Sequence, residues 1–126
     1  MAKVLDSADY KPEVLELVHQ PWTIEVRPYS DGSYFARVVE LPGCMTEADT
    51  SGEILEALDE ARALWLESAL VHGDSIPEPL GAQSFSGKIF VRTSSELHRR
   101  VSTEAARQGV SMSQWVAEVL AGAVSR

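Results

Sequence analysis

Lys88, Phe90 and Arg92 occupy alternate positions of "GKIFVRT". On an extended backbone their side chains leave by one face, while Ile89 and Val91 leave by the other. Two cations and an aromatic ring on one face have the chemistry of nucleic-acid recognition. Lys and Arg neutralise phosphates and bond guanine edges, and the ring packs on a thymine methyl. Further on, Ser111 and Ser113 open "SMSQWV", where the first amides of a helix are free to hold a phosphate. A second set, Glu53, Glu56, Glu60 and Glu67, recurs at helical spacing and lines a face roughly 20 Å long. Such a stripe is either a solvated surface or a docking face for a cationic protein. Carboxylates strung along an axis do not converge on two ions about 4 Å apart, as two-metal hydrolysis requires. His19, His72 and His98 stand in no nucleophile motif, and no glycine-rich phosphate loop is present. Catalysis, a cofactor and a metal are not expected.

The charge is divided. Of the chain's basic and acidic residues, 5 and 16 precede residue 86, leaving −11 there, whereas 6 and 3 follow, leaving +3. A division this sharp implies two modules with different partners. At 126 residues and 44% hydrophobic content, the chain can bury one modest core and a small appendage. The lone Cys44 excludes an internal disulfide and a cysteine-rich zinc site, and is expected half-buried in a turn. No apolar run approaches the ~20 residues of a membrane span, and the opening residues lack a signal-peptide core. A soluble, cytoplasmic protein with no membrane partner is expected.

The elements that must position these residues follow from pattern. In the acidic module, 1–75, "DYKPEVLELVH" reads as a short helix with Asp9 as its cap and Val14, Leu15, Leu17 and Val18 on its apolar face. Trp22, Ile24 and Val26 alternate as a strand, and Asp31-Gly32 marks a hairpin. Pro42 and Gly43 end a second strand, and a third lies around "MTEAD". Thr50 and Glu53 form a capping box for a helix over 52–72 with Ile54, Leu58, Ala61, Trp65 and Ala69 inward and Gly73 as its stop. The result is an α+β fold, one helix packed on a small antiparallel sheet.

Residues 76–87, rich in Pro, Gly and Ser, read as a linker. In the basic module, 88–126, a strand precedes two helices. Thr93 with Glu96 caps the first, Gly109 stops it, Ser111 with Gln114 caps the second, and Gly122 loosens the end of the second. One short strand and two helices cannot satisfy the strand's edge or bury its apolar face. The module is therefore expected to pair with a copy of itself, as a ribbon-helix-helix homodimer or a higher even oligomer. Its core would hold Ile89, Val91, Leu97, Val101, Trp115 and Val116. A two-stranded ribbon of this kind fits the major groove, as in Arc-type and methionine-repressor-type proteins.

Two blocks, "DGSYFARVVELPGCMTEADTSGEILEALDEARALWLESAL" and "SGKIFVRTSSELHRRVSTEAARQGVSMSQWV", together resemble the HicB family of toxin-antitoxin antitoxins. The resemblance implies a truncated RNase-H-like N-terminal domain that blocks a HicA-type, mRNA-cleaving toxin, and a C-terminal domain that binds operator DNA. On that basis the toxin is assigned to Glu53, Glu56, Glu60 and Glu67, and DNA to Lys88, Phe90, Arg92, Ser111 and Ser113. The alternative is a stand-alone regulator whose N-terminal module senses a ligand or only oligomerises.

Overall fold

The strands form where apolar and polar residues alternate, and turn chemistry sets their register. A computed structural model describes residues 9–125, which fall into two compact units divided after Phe85. In the first unit, α1 (Pro12–Val18) precedes β1 (Ile24–Pro28), β2 (Tyr34–Val38), β3 (Met45–Ala48) and α2 (Ser51–His72). The sheet is antiparallel in the order β1-β2-β3. Gly32 takes a left-handed φ of 91° in the β1–β2 turn, and the Asp31 carboxylate accepts from the Ser33 amide at 2.9 Å. Gly43, at φ 84°, reverses the chain between β2 and β3.

The hydroxyl of Thr50 accepts from the Glu53 amide at 3.2 Å, and left-handed Gly73 closes the far end of α2, with the Asp74 amide reaching Ala69 O at 2.9 Å. Between these caps Ile54, Leu58 and Ala69 are buried as expected, while Ala61 and Trp65 are half-buried. Arg62, Ala63 and Leu66 complete the seam. It is wider than the expected stripe because α2 is covered by α1 as well as by β2 and β3. Arg62 fits because its stem is apolar, and its guanidinium pairs with Asp59.

Three further expectations change. Asp9 does not cap α1: the helix starts at Pro12 behind Lys11, with no side-chain cap. Cys44 is not half-buried but only 2% exposed. Burial pushes its thiol pKa up, against the opposing charge of Arg62. Ile24 and Val26 alternate as read, yet both are exposed, because α2 stops short of β1.

The stretch read as a linker is anchored over its first half. Ile76 packs on the core and Pro79 is buried. Gly81 sits so tightly on Pro21 that an added Cβ would lie 2.6 Å from the Pro21 carbonyl oxygen. Glu40 joins the pieces: its carboxylate accepts from the Thr23 amide at 3.0 Å, the Thr23 hydroxyl at 3.1 Å and the Leu80 amide at 2.8 Å.

In the second unit, α3 (Ser95–Arg107) and α4 (Met112–Val124) pack together. The cap of α3 is Ser94, not Thr93: its hydroxyl accepts from Leu97 N at 3.1 Å. Glu96 then lies too early in the first turn to close a capping box, and it pairs with Arg99 at 2.5 Å instead. Gly109, at φ 72°, ends the turn after α3, and Ser111 caps α4 by accepting from Gln114 N at 3.0 Å. The helix runs through Gly122 without a break.

Glu40 yields a test. Burial raises its carboxyl pKa, but the amides of Leu80 and Thr23 outweigh that and hold it below the ordinary glutamate range. Its contribution is therefore complete above that range and is lost as pH falls through the lowered value. Glu40→Gln is expected to cost roughly 1 kcal/mol near neutrality, with the gap from the parent narrowing in acid, as measured by urea unfolding across pH.

Candidate nucleic-acid interface and acidic helix face

Lys88, Phe90 and Arg92 lie in the segment 88–94, which belongs to no helix and pairs with no strand of the same chain. Phe90 is 86% exposed, and Ile89 and Val91, the expected inward residues, are 74% and 68% exposed. A segment in which both alternating faces meet solvent has no partner within its own chain. Lys88 and Arg92 have no acidic partner among the described residues, whereas Arg99 and Arg107 are tied to Glu96 and Glu104 at 2.5 and 2.6 Å. Within the second unit, the charge that remains available for an anion is thus concentrated on the 88–92 segment and on Arg100, also exposed, which the sequence places beside His98 without assigning it to the site.

The helix pair lacks a core of its own. Ala105 is its one buried residue among those described; Val101, Trp115 and Val116 are half-buried and Leu97 is exposed. Four of the six expected core residues therefore lie on the helix pair, three of them half-buried, and the two on the extended segment are largely exposed. Ser111 spends its hydroxyl on the cap, and Ser113 is exposed in the first turn of α4.

On α2, Glu53 is exposed and Glu56, Glu60 and Glu67 are half-exposed, so all four carboxylates reach the surface. Beside them the structure places two apolar residues that went unread: Leu64, 58% exposed, lies one turn beyond Glu60, and Val71, 72% exposed, one turn beyond Glu67. Leu64 borders a groove formed with Trp65, Pro42, Met45 and Pro77. The seven-residue spacing of Leu64 and Val71, offset from the buried seam, is the signal that could have found them. No cluster of His, Cys, Asp and Glu that could hold a metal ion occurs among the described residues, and no helix there is long and apolar enough to cross a membrane.

Residues 75–120, which take in the 88–94 segment, α3 and most of α4, match the HicB family. A stretch of 56 residues is 34% identical to a UPF0150 protein of Synechocystis sp., covering 44% of this chain and 77% of that relative. The chain belongs to the UPF0150 family. A second UPF0150 protein, from Thermoplasma acidophilum, is 36% identical over 56 residues, covering 44% of this chain and 81% of the relative. This UPF0150 chain thus joins its family resemblance to a HicB match that contains the exposed cationic segment.

Lys88 and Arg92 make no ion pair among the described residues, so their removal is expected to take little from the fold. Lys88→Ala and Arg92→Ala are each expected to shift unfolding free energy by less than about 0.5 kcal/mol, as read from urea denaturation at one protein concentration.

Proposed function

We propose that this chain is a non-enzymatic antitoxin that neutralises a HicA-type toxin through its N-terminal unit and represses its own operon through a dimeric C-terminal unit. The HicB match supports a toxin-antitoxin role. The observation that carries the second half is the 88–92 segment, with unpaired Lys88 and Arg92 on alternate positions and exposed Ile89 and Val91 between them. Pairing this segment with its copy makes a ribbon. Ile89 and Val91 then turn onto Leu97, Val101, Trp115 and Val116, which the helix pair alone leaves partly uncovered, and Lys88, Phe90 and Arg92 face the major groove. The first amides of α4, at Met112 and Ser113, take a phosphate.

For the N-terminal unit, the surface carboxylates of α2 beside Leu64 and Val71 favour a cationic partner with an apolar contact at its centre. A protein that cleaves RNA must itself hold polyphosphate and is therefore expected to be basic.

Two experiments test the reading. With the chain as bait at low salt, where charge pairing is least screened, capture is expected of a small basic protein that cleaves RNA and is silenced when the chain is added back. Return of the bait and DNA alone would favour the stand-alone regulator. In a gel-shift titration, Arg92→Ala is expected to weaken operator binding by roughly tenfold or more and to lower the salt slope by about 2, one for each copy of the arginine. Unchanged affinity removes Arg92 from the interface.

A further inference from the structure

β1 lies at an edge of the sheet, and its register with β2 identifies which backbone groups face outward. Val39 N donates to Thr23 O at 2.9 Å, and Tyr29 N donates to Ser33 O at 2.8 Å. Both pairs continue the β1–β2 register, so odd-numbered residues of the strand direct N–H and C=O at β2. Ile24, Val26 and Pro28 direct theirs away. Nothing among the described residues bonds the amides and carbonyls of Ile24 and Val26, and Pro28 stands at the outward position where proline is tolerated.

The same stretch leaves apolar surface uncovered. Ile24 and Val26 lie opposite Val38 and Ala36, on the face that α2 buries. Val38 and Ala36 are 2% and 0% exposed, but Ile24 and Val26 are 41% and 44% exposed because α2 packs over β2 and β3 and does not reach β1. The strand thus has open hydrogen-bonding groups on its edge and a half-covered apolar strip on one face. On the other face it carries Glu25 and Arg27.

We infer that β1 pairs antiparallel with β1 of a second copy of this chain, about a twofold axis at Val26, joining two sheets into one. Glu25 already bonds Arg37 of its own β2 at 2.5 Å and lies 4.0 Å from its own Arg27, so a second copy extends an existing ion-pair network, and charge selects the register. Centred on Val26, the strand sets Glu25 opposite Arg27 of the second copy and Arg27 opposite its Glu25, two complementary cross-strand pairs. Centred on Glu25 or on Arg27, the next registers that the outward groups allow, it would set like charges opposite each other. At Val26 the two copies exchange N–H···O=C bonds reciprocally, and the Ile24 amide donates to the Pro28 carbonyl of the second copy, while the Ile24 carbonyl, opposite a proline with no N–H, accepts no bond there. The axis is perpendicular to the sheet, so the two α2 helices lie on the same face, and Ile24 and Val26 of both copies share the strip between them. This contact is separate from the C-terminal dimer and uses none of its residues; the two together build even-numbered assemblies.

Paired residues 25 and 27 of the two copies form a non-hydrogen-bonded pair, with Cα atoms about 4.5 Å apart, within reach of a disulfide. Full-length Glu25→Cys and Arg27→Cys chains, carrying different tags, are co-expressed and oxidised mildly; buried Cys44 does not compete. The expected product is a disulfide-linked dimer carrying both tags, several-fold more abundant than any dimer either variant forms alone. Cross-linking no greater in the mixture than in the single variants overturns the register. A second measurement is independent of cysteine chemistry. Arg27→Glu is expected to weaken self-association several-fold in a sedimentation concentration series, and Glu25→Arg combined with Arg27→Glu and Arg37→Glu, which keeps residue 25 paired with residue 37 of its own chain, to restore it. A single variant of unchanged self-association, or a folded triple variant that stays weakened, overturns the pairing.

Discussion

Burial of one seam of α2 against β2 and β3 is the constraint on which the N-terminal unit depends. Ile54, Leu58 and Leu66 are almost fully buried, and each such side chain contributes about 1.5–3 kcal/mol by leaving water. The seam fixes the rotation of the helix, and that rotation determines what remains outside: Glu53, Glu60 and Glu67 with Leu64 and Val71 on one side, and the uncovered strip of β1 beyond its edge. Polar contacts then hold the ends in place. Trp22 Nε1 donates to Leu17 O at 2.7 Å, tying α1 to the approach to β1, and Trp65 Nε1 donates to Pro42 O at 2.8 Å, tying α2 to the β2–β3 turn. Arg62 is the one charged residue in the seam among those described, and its Nε has no hydrogen-bond partner there. That local cost is carried by a helix whose other inward residues are apolar.

The two units differ in what they bury. The first closes a core from elements of its own chain, so its outward residues are available to other molecules without loss of fold. The second caps its helices well, at Ser94 and Ser111, yet leaves nearly all its apolar side chains in contact with water. Good local signals without a core of its own are what the proposed pairing with a second copy would require.

Much of this was legible in the sequence where the signal is local. The Asp31-Gly32 turn, the Thr50 cap and the Gly73 stop each depend on residues within one turn of one another, and each stands where the pattern put it. The start of α3 was less legible because Thr93 and Ser94 are both competent caps, and only the backbone decides which hydroxyl meets the amide three residues on. Arg62 in the seam was illegible by residue class, since a pattern that counts arginine as polar does not see its apolar stem. Exposure of Ile24 and Val26 was illegible for another reason: their alternation matches a buried strand, and the width of α2's cover is a tertiary quantity. The anchoring of 76–82 was hidden behind composition, because Gly81, which reads as a linker residue, is the one that fits against Pro21.

The open apolar surface of α3, α4 and the segment before them has a consequence for dosage. If the module completes its core by joining another copy, as proposed, its folded population is governed by mass action and its stability rises with the number of chains in the cell. Under the proposed pairing its activity would climb faster than linearly with abundance and fall away sharply on dilution, through Ile89, Val91 and the helix faces left open beside them.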